Sequence, residues 1–413
     1  MSVKPRGIIA AVLIALVAAA CSSSSKSSSS SSGGTGGTPT GRAATGTPIK
    51  IMQIATLTGP SDNVPDDAAA GKAAAKAINA AGGVNGHPID LEVCDDKFDP
   101  NAAAACARQA VSDKVVAVVA LNSAFGGNVI PIIAAANIPS VGDNLLGAAE
   151  ITSKDVFPID GGGITGSSAM AYADALAGGK TLRPVLVDVA AAKGLLPFIQ
   201  GVTKLFPGVK MLPDVDVPAQ ATDVTSQASA ATAGGADGAF FVVGQGAAAP
   251  LTRAMRTAGF TGYLSTSTQS ITDQEIKDLG SQATGLLLVS AMPPPSYTQN
   301  PTIARFDKDM RAAGITARTG GMELAWASVT VASMALAKAT TMDGPGLIQA
   351  LNGYGEFNIS GLGQWDYTKP LQSYAGGALR LFNPFSYISK VNSSGIAIPI
   401  SPQPYDVTMA PSK

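Results

Sequence analysis

The sequence predicts an α/β protein of two lobes, each a parallel-rich sheet flanked by helices. Short apolar segments alternate with helical patterns roughly 10–15 residues long, the rhythm of βαβ units. That rhythm runs twice, from Ile49 to Ser140 and again from Arg183 to Ser290. The chain has 413 residues, more than the ~250–300 that one hydrophobic core usually organises.

The first residues belong to neither lobe. Lys4 and Arg6 precede the apolar run from Ile8 to Val17, and small residues then lead to Cys21. A positive start, a short apolar stretch and a small-residue cleavage point predict a lipoprotein signal over residues 1–21, too short to span a bilayer well. The AAAC ending is similar to a lipobox, with Ala18 where Leu is usual, so Cys21 is expected to be acylated and to become the mature N-terminus. An ordinary secretory signal is the alternative. Residues 22–47, rich in Ser, Gly and Thr, have almost nothing to bury and are expected to form a flexible tether.

The folded part opens with the strand-like IKIMQIATLTGP and the Ala-rich helical pattern from Asp66 to Ala80. Gly82 and Gly83 stop that helix, and Asn85-Gly86 turns the chain into the strand Ile89 to Cys94. Asp99 is a good N-cap and Pro100 suits the first helical position, so a second helix follows to Asp113. The strand Val115 to Leu121 then delivers NSAFGGN to a strand end, where hydroxyls and N–H groups can meet a ligand or merely cap the next helix. Ile138 to Gly142 delivers Asp143 and Asn144 to the same rim. DGGGITGSS, from Asp160 to Ser168, marks the first passage between lobes; it lacks the Lys-Ser/Thr ending of a phosphate loop.

The second series mirrors the first. Its strands, Arg183 to Ala190, Gly238 to Gly244 and Gly262 to Thr268, bring Asp188, Gln245, Thr268 and Gln269 to their ends. Pro293 to Pro295 form a stiff return, and helices near Ile303 to Ala313 and Met322 to Ala339 rejoin the first lobe. Tyr354 to Asp366 and Leu379 to Tyr387 supply final strands and a third passage. The lobes are thus expected to comprise 48–162 with 292–366, and 163–291 with 367–391; residues 392–413, with Pro399, Pro402 and Pro404, form a tail of turn chemistry.

Cys94 ends a strand and Cys106 lies in the helix that packs back on it, with little chain between them. Export places them in an oxidising compartment, so a disulfide is expected, worth about 3 kcal/mol by loop entropy; two free buried thiols are the alternative. The net charge of −1, from 28 basic and 29 acidic residues with no basic block, gives nucleic acid no electrostatic footprint. His87 is the only histidine and stands in a turn, so neither a metal site nor a Ser-His or Cys-His catalytic pair is expected. Asp95 and Asp96 follow a strand and serve the ensuing turn more readily than acid–base chemistry. No catalytic residue, metal or cofactor is expected.

LTGP, AxxAINAAGGVNG, IDLEVCDDxFDPxxAxxCARxxV, VVAVVA and NIPS resemble the solute-binding component of branched-chain-amino-acid-type ABC importers, which has the type I periplasmic binding fold. The resemblance spans Pro48 to Lys390, with GADGAFFVVGQG, RAMRTAGF and FNISGLGQWD carrying it in the second lobe. It implies two lobes joined by three crossovers that close on a small solute, a membrane permease as partner, a lipid anchor, an extracytoplasmic location and a monomeric, non-catalytic protein. The family's carboxylate donors fall at Ser123 and Ala124, and its usual Thr near Leu146. Its ammonium partners fall at Gly163, with Asp160 nearby, and at Thr268 or Gln269; the aromatic expected around Ala190 to Ala192 is missing.

A buried ammonium without a carboxylate loses several kcal/mol of solvation, so the resemblance does not extend to a standard branched-chain amino acid. A neutral or carboxylate-bearing molecule held by Ser123, Asn144, Gln245 and Gln269, with Phe125 as apolar surface, suits the residues better. Asp143 or Asp188 would serve an amine-bearing ligand. Trp326 either lines the cleft or packs in the core, and Glu323 either approaches the ligand or supports its helix start. A membrane-tethered sensor and a structural or adhesion lipoprotein are the alternatives to uptake on the same fold.

Overall fold

The computed structural model describes residues 44–59, 63–354, 357–358, 364–371 and 380–411. The expected signal, tether and Cys21 lie outside them, apart from residues 44–47. The first half runs β1 (Ile49–Ala55), α1 (Pro65–Ala80), β2 (Ile89–Asp95), α2 (Pro100–Ser112), β3 (Ala117–Asn122), α3 (Gly126–Ala135), β4 (Ser140–Val141), α4 (Ala148–Thr152) and β5 (Val156–Phe157). These strands form one parallel sheet in the order β2-β1-β3-β4-β5. Side chains alternate across it: Ile49 and Ile51 enter one core, while Met52 and Ile54 enter the other.

The chain then passes to a second sheet through α5 (Gly162–Ala177), β6 (Thr181–Val187), α6 (Ala190–Gly194), α7 (Leu196–Thr203), β7 (Lys210–Met211), β8 (Val215–Val217), α8 (Thr225–Thr232), β9 (Gly238–Val242), α9 (Ala248–Thr257), β10 (Tyr263–Ser267), α10 (Asp273–Leu279) and β11 (Leu287–Ser290). It returns to the first lobe with α11 (Pro301–Ala312), α12 (Gly320–Leu336), α13 (Gly344–Asn352), and the short hairpin β12 (Phe357–Asn358) and β13 (Gln364–Trp365). Finally β14 (Phe385–Val391), β15 (Ala397–Pro399) and β16 (Tyr405–Asp406) join the second sheet. That sheet runs β15-β14-β11-β10-β9-β6-β7, with β8 also on β6 and β16 on β14.

The two lobes are therefore sheet-and-helix layers of the type I periplasmic-binding kind. Ala70, Ala73 and Ala74 of α1 are small and buried, which lets α12 lie closely along it. Asp99 caps α2 through Asn101 N and Ala102 N, with Pro100 next, as its sequence position predicts. Cys94 and Cys106 are bonded, tying β2 to α2.

Two expectations change. The segment after Asn392 is not only turn: β15 pairs antiparallel with β14, placing Pro399 opposite Ser389, and β16 pairs with Phe385 and Ser386. Proline is tolerated there because β15 is an edge strand with no further ladder to donate to. The strand expected over Arg183 to Ala190 is shifted, starting at Thr181 and ending at Val187. The first passage between sheets, at Pro158 to Gly161, is braced by later chain. Tyr367 Oη donates to Pro158 O at 2.9 Å, and Asn383 Nδ2 donates to Ile159 O at 3.1 Å.

Candidate functional site

Parallel sheets bind ligands beyond the carboxyl ends of their strands, where the strand order reverses. In the first sheet that point lies between β1 and β3, and in the second between β6 and β9. A cavity of about 160 Å³ opens at both points together. Thr56, Phe98, Asn122, Ala124, Asn144 and Leu146 reach it from the ends of β1 to β4, with Val64 and Asp67 from the start of α1. The second lobe contributes Gly162, Gly163, Gly166, Ser167 and Met170 of α5, then Val187, Val189, Ala191, Ala192 and Leu195 after β6. Val242 to Gln245 come from the end of β9 and just beyond it, and Ser267, Gln269 and Ser270 from the end of β10 and just beyond it.

Asp96 organises the first-lobe rim. It is fully buried and accepts from Thr56 Oγ1 at 2.7 Å, from Ser123 Oγ and from Phe98 N at 3.0 Å. Lys97 and Phe98 both have left-handed backbones, φ 54° and 55°, which side-chain-bearing residues adopt at a cost of roughly 1–2 kcal/mol each. Asp95 and Asp96 hold them there by accepting from Lys97 N and Phe98 N, which turns Phe98 toward the cavity. The Asp95-Asp96 pair thus serves its turn, as expected, and Asp96 also ties three strand ends together.

Of the ten residues expected at the ligand, Ala124, Asn144, Gln245 and Gln269 line the cavity, and the other six do not. Ser123 faces inward: its one proton goes to Asp96, and its oxygen accepts from Phe125 N at 3.1 Å. Phe125 stacks edge-on behind Phe98 with ring centroids 5.4 Å apart. Thr268 packs its side chain against Gly320, and Asp188 is exposed, its N–H bonded to Val217 O. Asp143 is wholly buried beneath the rim and accepts from Ser140 Oγ. Burial pushes its carboxyl up to about 8, with Glu150 and Asp160 adding to the rise.

Trp326 belongs to the core: it is 1 % exposed, stacks on Phe306 and donates from Nε1 to Asp309 Oδ2 at 2.9 Å. Glu323 is equally buried, which drives its carboxyl well above the usual range with Asp273 reinforcing the shift, and it does not line the cavity. Sequence reasoning missed Thr56, Asp67, Phe98 and the apolar wall after β6. Thr56 and the apolar wall after β6 share one signal, position at a strand end or just after it.

Among the described residues no Lys, Arg or His lines the cavity, and Asp67 is the one charged residue that does. Asp67 stands against the start of α12, where a Cβ on Gly321 would come within 2.7 Å of its carboxylate oxygens; a helix N-terminus favours a negative charge there. No group of three or more metal-ligating side chains occurs among the described residues.

Residues 48–378 match the family model described as periplasmic binding protein. The chain belongs to that family. It is an extracytoplasmic solute-binding protein, and the fold is a non-catalytic module. Similar solved structures include an extracellular ligand-binding receptor from Verminephrobacter eiseniae, 22% identical with a TM-score of 0.74, covering 85% of this chain and 99% of that one. A fatty acid ABC transporter substrate-binding protein from Thermomonospora curvata is 17% identical, with a TM-score of 0.72 over 90% and 97% of the two chains. An R. palustris ABC transporter solute-binding protein in complex with 4-hydroxybenzoate is 17% identical, with a TM-score of 0.73 over 88% and 98%. At these identities the likeness is one of fold. No curated protein sequence matches the chain.

Proposed function

We infer that this periplasmic binding protein captures a small molecule between its lobes and delivers it to the permease of an ABC importer, held at the membrane through acylated Cys21. The observation that carries the reading is the single cavity at the strand ends of both sheets, whose walls come from both lobes. Closure then buries the ligand, and affinity follows the population of the closed state.

The ligand is not leucine, isoleucine or valine. Gly163 stands where the resemblance sets one ammonium partner, and Thr268 and Gln269 where it sets the other. Asp160 does not replace the first. It is buried, absent from the cavity wall and engaged by Gly162 N at 2.9 Å, and burial raises its carboxyl to about 6. The one carboxylate on the cavity wall, Asp67, is already set against the start of α12, so an amino acid's ammonium would be buried without a second carboxylate to offset its desolvation.

A thermal-shift panel on refolded, ligand-free protein tests this, because a ligand that binds only the native state raises the melting temperature with its free concentration. A saturable shift from a compound other than the three branched-chain amino acids is the expected result. A largest shift from leucine, isoleucine or valine contradicts the ligand reading, and no saturable shift from any compound contradicts solute capture.

A further inference from the structure

The cavity wall combines an apolar patch with neutral hydrogen-bonding groups. From α5 come Gly162, Gly163 and, one turn on, Gly166. A Cβ on Gly166 would meet no atom within 4 Å, whereas one on Gly163 would lie 2.5 Å from Leu146 Cδ2 and 3.6 Å from Leu195 Cδ1. The missing side chain at Gly166 therefore leaves a slot in a wall that also carries Leu146, Met170 and Leu195. A cavity of about 160 Å³ is close to the ~150 Å³ of apolar cavities that hold a benzene-sized molecule.

Apart from Asp67, the polar side chains of the cavity wall are neutral. The hydroxyls of Thr56, Ser167 and Ser270 already donate to Asp96, Ile164 O and Val243 O. Asn144 Nδ2 donates to Asn122 Oδ1 at 3.3 Å, which leaves that amide pair one donor group and one acceptor. The side-chain amides of Gln245 and Gln269 have no hydrogen-bond partner among the described residues, and both residues line the cavity. Nor does the N-terminus of α5 act as a vacant anion site, since Asp160 Oδ1 accepts from Gly162 N and Leu146 covers Gly163.

We propose that the ligand has an uncharged hydrogen-bonding head, an amide or an alcohol, and one apolar group no larger than a single ring, and that Gly166 sets that size limit. The assignment rests on the capture reading above. The apolar group occupies the slot over Gly166, and the head exchanges hydrogen bonds with Gln245 and Gln269. A carboxylate or an ammonium at the same place gives up its hydration and meets no lysine, arginine or histidine, and no acidic group beyond Asp67 at the start of α12.

The test is calorimetric titration of the full-length protein in mild detergent with five compounds that share one ring: benzamide, benzyl alcohol, benzoate, benzylamine and phenylalanine. The amide or alcohol is expected to bind about tenfold or more tightly than the charged members. Gly166→Leu, whose side chain would enter the slot, is expected to abolish that binding while leaving the melting temperature of the free protein no lower. Tighter binding of benzoate or benzylamine overturns the neutral-head assignment and leaves solute capture standing. Amide binding that survives Gly166→Leu overturns the slot. A series in which no member binds saturably overturns the ligand class; solute capture is then decided separately by the thermal-shift panel.

Discussion

Replacing Asp96 by alanine removes the acceptor shared by Thr56 Oγ1, Ser123 Oγ and Phe98 N. Thr56 and Ser123 are 1 % and 2 % exposed, so water cannot easily take the carboxylate's place. Each polar group left unsatisfied costs about 1–3 kcal/mol; the lower figure for three groups gives roughly 3 kcal/mol, and release of the left-handed turn at Lys97 and Phe98 would offset only part of it. Urea denaturation of Asp96→Ala should therefore show a midpoint shifted by that amount at unchanged slope. Asp96→Asn keeps the shape and one acceptor oxygen, so it should recover a large share of the loss. Ligand affinity should fall in Asp96→Ala, because Phe98 loses the acceptor that holds it at the cavity. A midpoint within about 0.5 kcal/mol of the parent for Asp96→Ala, the range of ordinary surface substitutions, would refute the idea that Asp96 ties the strand ends together.

Three further outcomes follow from the same structure. Asp143, raised by burial to about 8, favours the fold most when protonated; its contribution is complete below the unfolded value near 3.8 and lost as pH rises through 8. Asp143→Asn should consequently raise the melting temperature more at pH 8 than at pH 5, and an equal or opposite effect at the two would contradict the burial assignment. Trp326→Phe loses the bond to Asp309 and should lower stability by about 1 kcal/mol without changing ligand affinity, as measured by parallel melts and titrations. Serine at both Cys94 and Cys106 should reduce unfolding free energy by about 3 kcal/mol, read from denaturation of the reduced-equivalent variant beside the parent.

The fold was legible because local signals agreed. Asp99-Pro100 opens α2, Gly82 and Gly83 follow α1, and the apolar runs pair as parallel strands. The edge of the second sheet was not, since the prolines after Asn392 read as turn while an edge strand accommodates them. At the site, the strand ends were identified and the parity of residues along them was not. Val187 and Val189 face the cavity while Asp188 between them is exposed; Ser267 and Gln269 face it while Thr268 turns back to Gly320; Asn122 and Ala124 face it while Ser123 turns to Asp96. Successive side chains of an extended segment point opposite ways, so an error of one residue moves a predicted contact from the cavity into the wall. Asp67 and Phe98 depend on tertiary placement: one lies in the first turn of α1, and the other is aimed by a left-handed turn.

On the proposed reading the two lobes close on a solute at their shared strand ends. Pulsed electron paramagnetic resonance on Ser112→Cys/Lys204→Cys protein, spin-labelled at exposed positions of the first and second lobes, reads the interlobe distance directly. Saturation with the compound giving the largest thermal shift should replace a longer, broader distance distribution by a shorter, narrower one. A distribution unchanged at saturation would contradict capture by closure.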